Sequence, residues 1–156
     1  MKKLYQKVPN LFEILSMIFL AGILLAVVLQ VFFRYVAQLT VPWTEEVARY
    51  LGIWMVFMGA AVAVAHEAHI KITFFLERLP DGVRKIFNLS IDGVMFLFTL
   101  IVFLGSIQLI RLNWAQEAVT FPMSVGVLYL AIAISSGFIL IFLTVLMGTK
   151  LRTYFN

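Results

Sequence analysis

Two histidines, His66 and His69, flank Glu67, and such a cluster is what a metal or haem site would use. Both lie in one short segment, with no cysteine in the chain and no second histidine pair. A haem between helices needs ligands that face each other, and a zinc centre needs more donors than this segment offers. The segment therefore reads as the polar end of a helix, where imidazoles can meet free carbonyls. Glu13, Arg49 and Asp92 are the deepest charges in otherwise apolar stretches. A small proton-coupled transporter needs a lone carboxylate near the bilayer centre, whereas Glu13 and Asp92 fall near the ends of their runs. No Ser/His/Asp set, glycine-rich phosphate loop or paired buried carboxylates appears, so enzyme chemistry has no basis. The expectation is no catalytic residue, no substrate-binding residue, no metal and no cofactor in this chain.

The elements that carry these residues are apolar. Of 156 residues, 63% are hydrophobic and 13% charged, against about 45–50% and about 25% in a soluble domain. A fold of this size cannot bury that much apolar surface by itself, so a bilayer must cover it. Crossing hydrocarbon takes about 20 mostly apolar residues in a helix. Ile14 to Phe33 meets that length without a charge, with Pro9 suited to the helix start. Lys2, Lys3 and Lys7 resemble the head of a signal peptide. The run exceeds a signal peptide's usual length, however, and Val36-Ala37-Gln38 is a poor cleavage site, so the first helix is expected to be retained.

Further runs follow from Glu45 to Ala65, around Gly93 to Ile110, and from Ser124 to Gly148 beyond Pro122. The expected fold is all-α and integral to the membrane. It is a single domain, 1–156, with four transmembrane helices over about 11–33, 45–65, 86–110 and 124–148. Thr44 is the expected N-cap of the second helix, with Glu45 and Glu46 in its first turn, and Arg49 is placed to pair with one of them. Residues 66–85 mix phenylalanines with basic residues and read as an amphipathic loop along the inner membrane surface. Leu79-Pro80-Asp81-Gly82 is an expected turn within it. Ala48, Gly52, Gly59 and Ala63 put small residues on the second helix for close packing, within this bundle or against another chain.

The amino tail, second loop and carboxyl tail hold Lys2, Lys3, Lys7, Lys71, Arg78, Arg84, Lys85, Lys150 and Arg152, while the opposite side holds Arg34, Arg49 and Arg111. Basic loops stay in the cytoplasm, so both termini are expected to be cytoplasmic. Basic residues scattered between apolar runs form no single patch, which argues against nucleic acid as a partner.

Phe33-Arg34-Tyr35-Val36, Pro42-Trp43-Thr44-Glu45-Glu46-Val47-Ala48-Arg49-Tyr50, Trp54, Gly59-Ala60 and His69-Ile70 resemble the small membrane subunit of TRAP transporters, the tripartite ATP-independent periplasmic class. The resemblance implies a multi-pass protein of the bacterial inner membrane. It implies two protein partners besides the membrane lipids: a large membrane subunit that moves substrate and sodium, and a soluble periplasmic binding protein. Sodium is then expected in the large subunit, a separate polypeptide given this chain's length. The imported substrate would be an organic anion such as sialic acid or a dicarboxylate. Arg34, Trp43, Glu45, Glu46, Arg49, Trp54, Gly59 and His69 become candidates for partner contact or structural roles. The alternative is a self-sufficient proton-coupled transporter.

Cysteines replacing Thr73 and Thr120 should react oppositely with an impermeant thiol reagent applied from outside, Thr120→Cys labelled and Thr73→Cys protected. The reverse pattern would invert the orientation.

Overall fold

Residues 2–66 and 80–155 are described by a computed structural model. Four helices follow in order: α1 over Lys2–Tyr35, α2 over Pro42–Ala65, α3 over Asp81–Asn113 and α4 over Gly126–Phe155. All four are long and apolar enough to cross a membrane. Segment 67–79, with His69 and most of the expected amphipathic loop, lies outside the described residues.

Every helix is longer than its apolar run. Pro9 sits inside α1 instead of opening it, since one missing N–H costs a single backbone bond that surrounding groups can replace in a membrane helix. In α2 the start moves back to Pro42, whose fixed φ suits a first helical position. Thr44 is therefore not the N-cap. It lies one turn in, fully buried, and its hydroxyl donates to the Val41 carbonyl at 2.7 Å. Pro80 is the N-cap of α3, its carbonyl accepting from Arg84 N–H at 3.0 Å. Helix α4 starts at Gly126, runs past Gly148 and carries Lys150 on its last turns.

Helix α1 packs along α2, α2 along α4, and α4 along α3. The spatial order is thus α1–α2–α4–α3, an open row more than a closed bundle. Burial follows that order. The most apolar stretch of α4 is 33% buried, and that of α1 only 6%. A compact core of Phe12, Met58, Ala61, Val64, Ile139, Phe142 and Leu143 joins α1, α2 and α4, with Phe12 edge-on to Phe138 at 5.0 Å between ring centres. Leu25, Val94, Phe98 and Ile101 point outward, which only a lipid or protein neighbour makes tolerable.

Within this bundle, close approach occurs at Gly22 and Gly137, while Gly52 and Gly59 remain open to another chain. A methyl at Gly22 would stand 3.0 Å from Leu51 Cδ1, and one at Gly137 3.3 Å from Phe103. At Gly52 and Gly59 it would meet nothing within 4 Å, so that face of α2 is not covered by the described residues.

At the end of the row that carries the chain termini, Lys150 Nζ forms an ion pair with the Asp92 carboxylate, both side chains largely buried. Asp92 is therefore not a lone acid. Removing one partner of a buried pair strands the other charge, although a lysine stem can partly carry its ammonium toward water. Asp92→Ala should cost about 3 kcal/mol in reversible unfolding of the solubilised chain, and the Asp92→Lys/Lys150→Asp exchange should recover part of it. A loss below about 0.5 kcal/mol would place the pair among solvated surface contacts.

Candidate functional site

Tyr35 ends α1, and the chain must turn back within six residues to begin α2 at Pro42. It does so through Gln38, whose φ of 54° lies in the left-handed region. That turn lets Leu39 N–H reach back to the Phe33 carbonyl at 2.9 Å. The proline then starts α2 with Glu45 and Glu46 on adjacent positions, roughly 100° apart around the helix. Two acids so placed face two different neighbours.

Glu45 Oε1 accepts from Gln30 Nε2 of α1 at 2.7 Å. Glu46 faces the other way and takes the connection between α3 and α4. Its Oε1 accepts from Val119 N–H at 3.1 Å, and its Oε2 accepts from Thr120 N–H at 2.8 Å and also from the Thr120 hydroxyl. One turn later the Tyr50 hydroxyl donates to the Ser124 carbonyl at 3.3 Å. The acid pair thus ties the first turn of α2 to both sides of the row.

The tied connection is itself ordered. Ala118 N–H donates to Met123 O at 2.9 Å and Val125 N–H to Gln116 O at 2.8 Å, around a bridge between Glu117 and Ser124. Ser124 Oγ donates to the Trp114 carbonyl at 2.6 Å and accepts from Gly126 N–H at 3.0 Å, which closes the start of α4. A methyl on Gly126 would fall 2.8 Å from the Trp114 ring, so only glycine fits there. Val119, at the tip, is 94% exposed, because its backbone is turned inward to Glu46.

Arg49 forms no close ion pair with either acid, although its charge acts on Glu46 from a distance. Glu45 and Glu46 are engaged elsewhere, and Arg49 is exposed with no ion-pair or hydrogen-bond partner among the described residues. The spacing that permits an i, i+4 pair also lets the glutamate reach off the helix, and bonds to α1 win. Arg34, at the end of α1, is likewise exposed and unpartnered among the described residues. Trp54 is half-buried and meets Phe19 of α1 edge-on at 6.2 Å, while Trp43 stands exposed beside the tie. Gly59 lies on the open face of α2, toward the opposite end from the acids. The structure therefore brings Arg34, Trp43, Glu45, Glu46 and Arg49 to one end of the row and leaves Trp54 and Gly59 deeper in the membrane span. His66 is the C-cap of α2, its N–H bonded to Val62 O at 3.0 Å. Among the described residues no group of histidines and acids could hold a metal.

Gln30, Thr120 and Ser124 were not legible as partners. Gln30 is one of two polar side chains, with Ser16, inside an apolar run, and that rarity is the one signal it gave. Thr120 lies 74 residues from Glu46, beyond any local pattern.

The family described as tripartite ATP-independent periplasmic transporters, DctQ component, matches residues 23–153. The chain is similar to the sialic acid TRAP transporter small permease protein SiaQ of Vibrio cholerae, 28% identical over 79% of this chain and 68% of that protein. It is 30% identical to a putative TRAP transporter small permease protein of Haemophilus influenzae, over 86% of this chain and 84% of that one. It also resembles part of the isethionate TRAP transporter permease protein DctMQ of Oleidesulfovibrio alaskensis, 24% identical over 74% of this chain but 20% of that longer protein.

Glu46→Ala should accelerate hydrogen exchange at the Val119 and Thr120 amides roughly tenfold, since it removes a charged acceptor from both. Arg49→Ala should leave both rates unchanged. Equal acceleration by the two substitutions would mean that the arginine, not the tie, holds the connection.

Proposed function

Because the chain belongs to the DctQ component family of the tripartite ATP-independent periplasmic transporters, we propose that it is the fixed scaffold of a sodium-coupled importer of an organic anion. It is a small permease subunit and a multi-pass inner-membrane protein, not an enzyme. In the proposed assembly a large permease subunit moves the substrate and holds the sodium, a periplasmic binding protein delivers the substrate, and both termini of this chain are cytoplasmic. This chain itself holds no cofactor.

The observation that carries the scaffold reading is the state of its buried polar groups. An anion crossing a membrane needs polar groups near the midplane to replace its water. Here Asp92 is neutralised by Lys150 at one end of the row. Thr99, Ser106 and Ser136 spend their hydroxyl hydrogens on carbonyls of their own helices. Ser16 and Ser135 keep unbonded hydroxyls, two neutral donors on different helices. That is too little to desolvate a carboxylate. The same pairing of Asp92 argues against a proton-coupled transporter working alone.

A part that holds still beside a moving one must resist being dragged, and a row of four helices presents a broad edge to the bilayer. The relative DctMQ, named as a permease protein and several times longer than this chain, supports a larger permease as the partner. Sialic acid and isethionate, named for two relatives, are both organic anions. They support that substrate class, within which sialic acid or a four-carbon dicarboxylate is the proposed cargo.

Sodium-driven uptake into proteoliposomes should require the large subunit, the binding protein and this chain together. This chain alone should give no heat with the substrate in calorimetry. Uptake by the chain alone would overturn the scaffold reading.

A further inference from the structure

A cavity of about 180 Å³ lies between the end of α1 and the start of α2, with Gln30, Arg34, Thr40 and Glu45 as its polar lining and Leu39, Val41 and Pro42 closing it. Its two charged groups are opposite in sign yet do not meet. Arg34 has no ion-pair or hydrogen-bond partner among the described residues. Glu45 uses one oxygen for Gln30, which leaves its Oε2 and the Gln30 carbonyl oxygen as acceptors beside the cavity. A cation and an anion held apart across a small cavity match a ligand that carries both charges at a short fixed separation.

The surroundings say where such a ligand comes from. Tyr35 and Trp43, each next in sequence to a residue that lines the cavity, are both exposed, and such aromatic side chains are enriched at the level of lipid headgroups. One turn deeper on the same face as Gln30 and Arg34, α1 exposes Val27 and Val31, three residues before each of them. A head seated in the cavity would lay its apolar tail along those valines.

We infer that this cavity binds the zwitterionic headgroup of an aminophospholipid, with its phosphate at Arg34 and its ammonium at Glu45 and the Gln30 carbonyl oxygen. Guanidinium offers the phosphate two parallel donors. The primary ammonium carries three donors for the two acceptors opposite. An anionic glycerol headgroup supplies the phosphate but brings no cation to Glu45, so it should bind less well. The assignment is independent of what the assembled transporter carries.

The test is native mass spectrometry of the full chain released from bilayers holding equal phosphatidylethanolamine and phosphatidylglycerol. Wild type should retain the ethanolamine lipid about fivefold over the glycerol lipid, the factor that one interfacial charge contact supplies. Glu45→Gln can still accept from Gln30 and so keeps the helix tie, yet it should bring the ratio to about one. Arg34→Gln should lower retention of both lipids. Millimolar soluble phosphoethanolamine should leave the bound lipid in place. Equal retention by wild type, an unchanged ratio in Glu45→Gln, unchanged retention in Arg34→Gln, or displacement by the soluble zwitterion would each overturn the assignment.

Discussion

In hydrocarbon a helix gains little by hiding leucine from its surroundings, because the surroundings are as apolar as leucine. Four such helices are fixed to one another by shape and by the few polar bonds they can make, and those bonds survive best at the ends, where charge is tolerated. In this chain they cluster on one helix turn. Glu45 reaches α1, Glu46 reaches the connection between α3 and α4, and Tyr50 adds a second bond to that connection. At the opposite end Asp92 and Lys150 close α3 against α4. Between these ties the contacts are those of packed apolar side chains, around a core whose buried members come from α1, α2 and α4 and against which Met95 and Phe96 of α3 pack.

The open row follows from how sparsely the ties are distributed. Helix α2 is tied to both sides, α4 is packed between α2 and α3, and among the described residues the extensive helix contacts run along the row and not between α1 and α3. Such a row exposes two broad faces and satisfies neither by itself. Gly52 and Gly59, which meet no side chain among the described residues, lie on one of them, and the exposed cation of Arg49 stands near the start of the same helix. A subunit whose buried polar groups are spent on internal bonds, and whose faces remain open, suits a structural role beside another permease.

The exchange of partners around Glu45 and Glu46 shows how local patterns mislead at helix ends. Spacing of four residues makes Arg49 a natural partner for Glu45, and in an isolated helix it would be one. Here the acid finds Gln30 on a neighbouring helix, and the arginine is left exposed. Pro42, not Thr44, opens α2, because a proline needs no N–H where the helix has none to satisfy. The carboxyl end of α4 continues past Gly148, and Lys150 meets an anionic partner there.

Apolar runs of about twenty residues determined by themselves that this chain would cross a membrane as four helices, since a helix bonds its own backbone without water and a barrel strand needs only about half that length. The family, too, was legible in the Trp43–Glu45–Glu46–Arg49 stretch, where charge and aromatic residues crowd a helix start. The helix ends were less so: α1, α3 and α4 extend beyond their apolar limits because polar turns can continue a helix into the interface. Which acid meets which donor was decided only by the tertiary structure. Glu46 and Thr120, or Asp92 and Lys150, are separated by 74 and 58 residues, and a contact at that distance along the chain exists only once the helices have taken their places in the row.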